Sequence, residues 1–401
     1  MNGSGKLGNR WFYVLLSVFL MVIYGTVYSW GVFRLPVEEL YGVGTTLSGL
    51  PYMTFLLVYA ISMLIGGKLI GKVPVRILLI GGGILISIGW MLSSVSHGIL
   101  MLTIAYGVLI GFGVGISYGV PIYVIAQWFP QKKGMVIGLV LAGFGLSPLF
   151  TAPLGHWFID HFGLKATFLY YGMIFGVMII LLSLGIKLPS KDDSDESRTV
   201  ASDIASPMTG MRSFKFAYIC FFLGTLIGLT IIGLTSNIGR ELIGLEAQDI
   251  ALMMIVFALF NGLGRPLFGW MTEKYGPQIA MRNSYVLIAL ASAGMLFAGE
   301  GNVTLYLLLF SVLWLNLGAW LAIAPMMTMK LYGMASYSQN YGLMFTAYGL
   351  GAVVGVLSTG LLIDLLNSYK MIFVLITLLS LLGILLSRQV TDTLTAEKTL
   401  A

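Results

Sequence analysis

Twelve apolar runs of about 20 to 30 residues, each ending in charged or turn residues, decide what this chain can become. They fall near 11–35, 47–70, 75–96, 99–128, 134–158 and 166–187, then near 214–236, 249–271, 280–299, 303–329, 337–363 and 370–388. A run of that length crosses a hydrocarbon layer about 30 Å thick as one helix, because a helix satisfies its own backbone hydrogen bonds where water is absent. The charged fraction is 9%, against about 25% in soluble proteins, so a single water-soluble domain is excluded. The expected class is an all-α membrane protein with twelve transmembrane helices.

Between the sixth and seventh runs, residues 188–212 gather Lys191, Asp192, Asp193, Asp195, Glu196, Arg198 and Asp203 among serines, which is the composition of a solvated linker. The expected organisation is a six-helix half over 1–187, a cytoplasmic linker over 188–212 and a second six-helix half over 213–401. Of the 22 Lys and Arg residues, 17 fall on one side when loops are counted alternately. Only Arg34, Lys165, Arg240 and Lys370 fall on the other. The positive-inside rule then puts both termini in the cytoplasm, with the chain in the inner or plasma membrane. The basic balance is topology and not a nucleic-acid footprint. Residues 1–10 are short and polar, so the first helix is expected to be retained rather than cleaved.

Cys220 stands alone, and His97, His156 and His161 lack metal-ligand spacing, so no disulfide, metal or cofactor is expected. No nucleotide-binding loop and no cluster of nucleophile and base appears, which argues against an ATP-driven pump and against an enzyme.

The two sets of runs share a grammar. Gly67-Lys-Leu-Ile-Gly71-Lys72-Val-Pro74 follows the second run, and Gly269-Trp-Met-Thr-Glu273-Lys274-Tyr-Gly276 follows the eighth. The fifth and eleventh carry Gly138-Leu139 to Phe144-Gly145 and Gly342-Leu343 to Tyr348-Gly349, and end on Asp160 and Asp364. Such repetition marks a duplicated bundle. In helix 4, Gly107, Gly111, Gly115 and Gly119 make one smooth face for close helix packing.

One charge stands apart. Arg34, Lys68, Lys330 and Asp364 lie within about a turn of a run's end, where long side chains snorkel to the interface. Arg265 lies eight residues before Glu273, roughly 12 Å into the hydrocarbon at 1.5 Å per residue. A charge at mid-bilayer costs at least ~2.5 kcal/mol and is a functional candidate by default. No run offers an acid at that depth, so the expected counter-ion is a substrate carboxylate, which the planar guanidinium matches with two donors. Asn261 is one turn earlier on the same face. Tyr28 and Tyr118, mid-run, can offer phenols. Phe144 and Tyr348 hold matching repeat positions, and Phe345 shares a face with Tyr348.

The loop after helix 8, Gly269 to Gly276, resembles the G-x-x-x-D-[RK]-x-G signature of the major facilitator superfamily, with Glu273 for Asp. The loop after helix 2 departs from it at Gly71 and Pro74. More narrowly, Tyr28-Ser-Trp-Gly-Val-Phe33, Tyr118-Gly-Val-Pro121, Trp128-Phe-Pro130 and Gly264-Arg265-Pro266 resemble the oxalate/formate antiporters and monocarboxylate transporters. The resemblance implies two pseudo-symmetric halves around a central cavity, working by alternating access. It puts Arg265 at the substrate-binding arginine, and Asn261 where several monocarboxylate transporters carry a proton-exchanging Asp. It places Leu317 and Leu321 where antiporters have cavity-lining aromatics, and Tyr348 where oxalate carriers have a second cation. The expectation is a monomeric secondary carrier of a small monocarboxylate of the lactate or pyruvate type, with a proton as co-substrate. Exchange of the oxalate/formate kind is the alternative.

Overall fold

The computed structural model describes residues 4–129, 133–189, 208, 211–332, 337–366 and 368–390, so most of the expected linker lies outside the described residues. Among the described residues every regular element is a helix, apart from one isolated bridge between Ile70 and Val73. Helix α1 (Ser4–Tyr24) passes through a 3-10 stretch, Gly25–Ser29, into α2 (Trp30–Tyr41). A short α3 (Thr45–Ser48) precedes α4 (Leu50–Leu69) and α5 (Val75–Ser94). Next, α6 (Ile99–Leu102) runs through a π-helical stretch, Thr103–Ile110, into α7 (Gly111–Trp128). The half ends with α8 (Lys133–Leu146) and α9 (Pro148–Gly185). The second half comprises α10 (Arg212–Glu241), α11 (Ala247–Tyr275), α12 (Pro277–Met295), α13 (Val303–Tyr332), α14 (Tyr337–Leu366) and α15 (Lys370–Ser387).

Ten helical segments among the described residues are long and apolar enough to cross a membrane. One of them, Val136–Gly185, is 50 residues long, roughly 75 Å as a continuous helix and more than twice the hydrocarbon layer. It contains two of the expected runs. Gly163, with φ of 78°, breaks it between them, in a backbone region that a side chain would strain. Helix α12, with 19 residues, is not among the ten. It carries Arg282, Asn283, Ser284 and Ser292 within its length, which lowers its apolarity without shortening it.

Contacts divide the chain into two units, 1–41 with 50–199 and 42–49 with 200–401. Segment 42–49 groups with the C-terminal helices because Thr46 donates both its amide and its hydroxyl to the Asp364 carboxylate of α14. Within the N-terminal unit the most extensive pairings are α4 and α5 each with α7 and its π-helical lead-in, α5 with α9, and α1 with α8. Within the C-terminal unit they are α11 with α13, α10 with α14, and α12 with α15. Counted by span, both units pair second with fourth, first with fifth, and third with sixth. The repeat seen in short motifs is therefore also a repeat of packing.

Small residues make those pairings close. Gly107, Gly111, Gly115 and Gly119 all face α4 or its C-terminal end, and a Cβ on any of them would come within 3 Å of Thr54, Phe55, Ser62 or Ile70. In the C-terminal unit α11 and α13 meet reciprocally. A Cβ on Gly264 would overlap the Leu315 carbonyl, and one on Gly318 the Asn261 carbonyl.

The expectation that Arg34 snorkels from a helix end is corrected. The first span continues past residue 35 to Tyr41, so Arg34 lies inside it, 1% exposed, with Nε 3.5 Å from Glu38 Oε1. An acid one turn ahead lets the cation stay buried. Lys330 stays exposed near the end of α13, its ammonium donating to the carbonyls of Thr272 (2.9 Å) and Glu273 (2.7 Å) at the C-terminus of α11. Both carbonyls lie in the last turn of α11, where a cation is favoured by the helix dipole.

Candidate functional site

In the N-terminal unit, Tyr28, Tyr118 and Phe144 come together. The Phe144 ring centroid is 5.0 Å from that of Tyr28 and 5.6 Å from that of Tyr118, both edge to face. Tyr59 of α4 completes the cluster, 5.3 Å from Tyr118 and 6.1 Å from Phe144. Sequence reasoning missed Tyr59, because nothing local distinguishes it from the chain's other tyrosines. The 3-10 stretch brings Tyr28 to Phe144. Gly25 lies against the Phe144 carbonyl, where a Cβ would collide, so the first and fifth spans touch through backbone. All of these rings are buried.

In the C-terminal unit, Arg265 and Asn261 sit one turn apart on α11, both buried, with Arg265 4% exposed. Asn261 Nδ2 donates to the Trp314 carbonyl at 3.1 Å, tying α11 to α13 at their closest approach. Its Oδ1 is buried and makes no hydrogen bond among the described residues. The amide orientation follows from that bond, since an oxygen turned to the Trp314 carbonyl would face another acceptor. Trp314 Nε1 donates to Thr235 Oγ1 at 3.1 Å, and Tyr306 donates to the Thr235 carbonyl at 2.8 Å. A polar chain thus runs from α10 through α13 to α11, ending one turn from Arg265. It was invisible beforehand because its hydrogen-bonded partners are 53 to 79 positions apart. The arrangement supplies what an isolated guanidinium lacks, a rigid backing that holds α11 in register.

Leu317 and Leu321 are buried one turn apart on α13, and Leu317 lies against Gly228 of α10, where a Cβ would be 2.8 Å from its own. Phe345 and Tyr348 stack with centroids 4.7 Å apart and planes 17° from parallel, and Phe345 also neighbours Phe221 at 6.3 Å. Each unit therefore assembles its own share of the expected residues. Tyr28, Tyr118 and Phe144 form one cluster. Arg265, Asn261, Leu317 and Leu321 lie along the α11–α13 pair and its neighbour α10. Phe345 and Tyr348 form a stacked step on α14.

A different group, around Arg34, was not expected as a cluster. Trp30, Arg34 and Glu38 occupy successive turns of α2, beside Tyr52 and Tyr106. The i, i+4 spacing of Arg34 and Glu38 was the available signal. No group of three or more metal-binding side chains exists among the described residues. The His156 and Asp160 side chains form a surface pair at 3.3 Å.

Chemically, the C-terminal unit carries a buried guanidinium, a group whose donor fork matches a carboxylate at two points, and an amide oxygen one helical turn away that can accept. The N-terminal unit carries phenols and ring edges.

Comparison with known proteins identifies the family. The model of the Major Facilitator Superfamily matches residues 11–337. The oxalate:formate antiporter of Oxalobacter formigenes is 30% identical over 358 residues, covering 88% of this chain and 84% of the antiporter. Monocarboxylate transporter 12-B of Danio rerio is 25% identical over 344 residues, covering 77% of this chain and 72% of that protein. Among solved structures, a bacterial homolog of the human lysosomal transporter Spinster, inward-facing and unoccupied, aligns with a TM-score of 0.74 at 13% identity. It covers 95% of this chain and 97% of that one, and shows the shared fold.

Proposed function

The chain belongs to the major facilitator superfamily and is an integral membrane transporter, and from that premise we propose that it is a secondary carrier of small organic monocarboxylates. The observation that carries the reading is the buried guanidinium of Arg265 on α11, backed by the Asn261–Trp314 hydrogen bond. A carboxylate is its natural complement, since Arg keeps its charge at any relevant pH and presents donors at carboxylate spacing.

The size of the anion follows from charge count. Tyr348 supplies a hydroxyl and no charge, and Arg34 is offset by Glu38. One carboxylate is matched better than two. Asn261 Oδ1 adds a preference within that class. A buried acceptor without a donor is costly, and a 2-hydroxy acid brings the donor while its 2-oxo counterpart does not. Lactate-like substrates fit better than pyruvate-like ones.

Alternating access and monomeric function complete the proposal. The excess of Lys and Arg on one side supports a topology with both termini in the cytoplasm, and supports placement in the inner or plasma membrane. A second reading, anion exchange, is favoured by the 30% identity to an oxalate:formate antiporter.

The test is uptake of labelled lactate into liposomes containing the purified protein. The panel of unlabelled competitors is formate, acetate, pyruvate, oxalate and malonate, with and without an imposed pH gradient or preloaded substrate. Saturable uptake, competed by monocarboxylates in preference to dicarboxylates, is the expected result. Uptake competed only by dicarboxylates would overturn it, and uptake that needs a preloaded anion and ignores the pH gradient would establish exchange.

A further inference from the structure

The N-terminal unit buries a second cation, and its surroundings have too many donors. Trp30, Arg34 and Glu38 form one stripe along α2, four residues apart at each step. Trp30 and Arg34 are sealed from solvent, while the Glu38 side chain at the end of the stripe is 17% exposed. Tyr52 of α4 interacts electrostatically with Arg34, Tyr28 and Tyr106. The Tyr106 ring lies 4.6 Å from that of Trp30 and 5.6 Å from that of Phe55. Trp30 Nε1 and the Tyr106 hydroxyl are both buried and make no hydrogen bond among the described residues.

These two atoms say what the site takes. An indole N–H can only donate, so acceptor chemistry alone satisfies it, and the Tyr106 phenol, its ring against that of Trp30, can donate to the same acceptor. Buried donors are nearly always paired, so two unpaired ones on rings in mutual contact call for an explanation. Tyr106 is held there by the π-helical stretch Thr103–Ile110, a distortion that recurs at functional positions and shifts the register of everything before it relative to α7. A cation with unsatisfied donors beside it selects an anion with several acceptor lone pairs, and a carboxylate is the smallest organic group of that kind.

We infer that Trp30, Arg34 and Tyr106 form a second carboxylate subsite, which Glu38 occupies while ionised and yields to a substrate carboxylate when protonated. The inference rests on the reading of the chain as a monocarboxylate carrier. A proton from water adds to the Glu38 carboxylate, and the incoming anion replaces that carboxylate as the counter-charge of Arg34. Proton and anion enter together, and the charge of the site is the same before and after. This couples a proton to the substrate without an acid at Asn261.

The other charged and titratable groups around the stripe have their own engagements. Tyr41 on α2 hydrogen-bonds Ser96, and Glu39 lines a surface groove with Lys165. From α9, which packs on α2, Tyr171 donates to the Thr151 carbonyl, and Asp160 pairs with His156. Tyr52 neighbours Arg34 from α4, and Tyr106 packs on Trp30 from the π-helical stretch.

The experiment is calorimetric titration of the purified full-length protein with sodium lactate at one pH, in two buffers of different ionisation heat, which counts protons taken up per lactate bound. The wild type should take up close to one proton, and Glu38→Gln close to none, with lactate affinity undiminished. Trp30→Phe, which keeps the ring and removes the donor, should retain proton uptake and weaken binding about tenfold. If the Gln variant fails to fold, Glu38→Asp serves in its place. Its shorter carboxylate competes less well for Arg34, so lactate affinity should rise with proton uptake kept, and unchanged affinity there would overturn the subsite. Lactate binding by the wild type without proton uptake, or unchanged proton uptake in Glu38→Gln, would overturn the subsite and leave the Arg265 reading standing. Absence of lactate binding by the wild type, with Arg265→Gln indistinguishable from it, would remove both.

Discussion

Replacing Arg265 by Gln tests the carrier reading at its centre. The substitution keeps a planar amide of similar reach and removes the charge and the two-point donor geometry. Arg265 is 4% exposed, so a bound carboxylate meets it with little solvent screening. Each hydrogen bond involving a charged group contributes about 1.5–3 kcal/mol, and losing a bidentate pair removes roughly 3–6 kcal/mol. At 1.4 kcal/mol per decade, that is about a 10²- to 10⁴-fold loss of affinity. Arg265→Lys restores charge without the fork and should recover only part of it. The assay is initial lactate uptake into proteoliposomes across a concentration series, alongside a thermal melt of each variant. The melt matters because removing a buried cation also changes folding energy, and the argument requires binding to fall in protein that remains folded. A folded Gln variant whose KM and maximal rate stay within threefold of wild type would refute the placement of the carboxylate at Arg265.

Three further outcomes follow from the same geometry. Asn261→Leu removes the lone acceptor and the bond to the Trp314 carbonyl, so it should erase any preference for lactate over pyruvate and lower stability by about 1–3 kcal/mol. Competition ratios and a denaturation curve measure the two effects, and an unchanged ratio would show that Oδ1 does not meet the substrate. Gly318→Ala places a methyl group against the Asn261 carbonyl, and overpacking of about 1–3 kcal/mol should depress the melting temperature far more than Gly269→Ala, where the nearest atom is 3.8 Å away. Equal melting temperatures for the two would contradict the close α11–α13 approach. Tyr348→Lys should shift competition toward oxalate and malonate by supplying a second charge. No gain for dicarboxylates in a folded variant would mean that residue 348 is remote from the bound anion.

Much of this protein was legible in its sequence because the bilayer enforces a local rule. A run of about 20 apolar residues must form a helix wherever it inserts, so span positions, the helical class and the duplicated halves could be read without knowing a single contact. Arg265 was legible for the same reason, since an ion deep in an apolar run is conspicuous in one dimension. Membership of the superfamily followed from short loop motifs, which are local by nature.

What remained hidden depends on which faces meet. Arg34 looked like a side chain reaching for the interface, because the end of an apolar run does not reveal that the helix continues to Tyr41 or that Glu38 turns toward it. Tyr59 and Trp314 looked like ordinary aromatics of a membrane protein until packing put one beside Tyr118 and the other in a polar chain with Asn261. The 3-10 and π-helical stretches that aim Tyr28 and Tyr106 have no compositional mark, since they arise from the closeness of neighbouring helices. Hydropathy determines that a segment crosses the membrane. The rotation of each helix about its axis, and hence which polar atoms are left seeking a ligand, is decided by side chains distant in sequence, and only the tertiary structure brings those together.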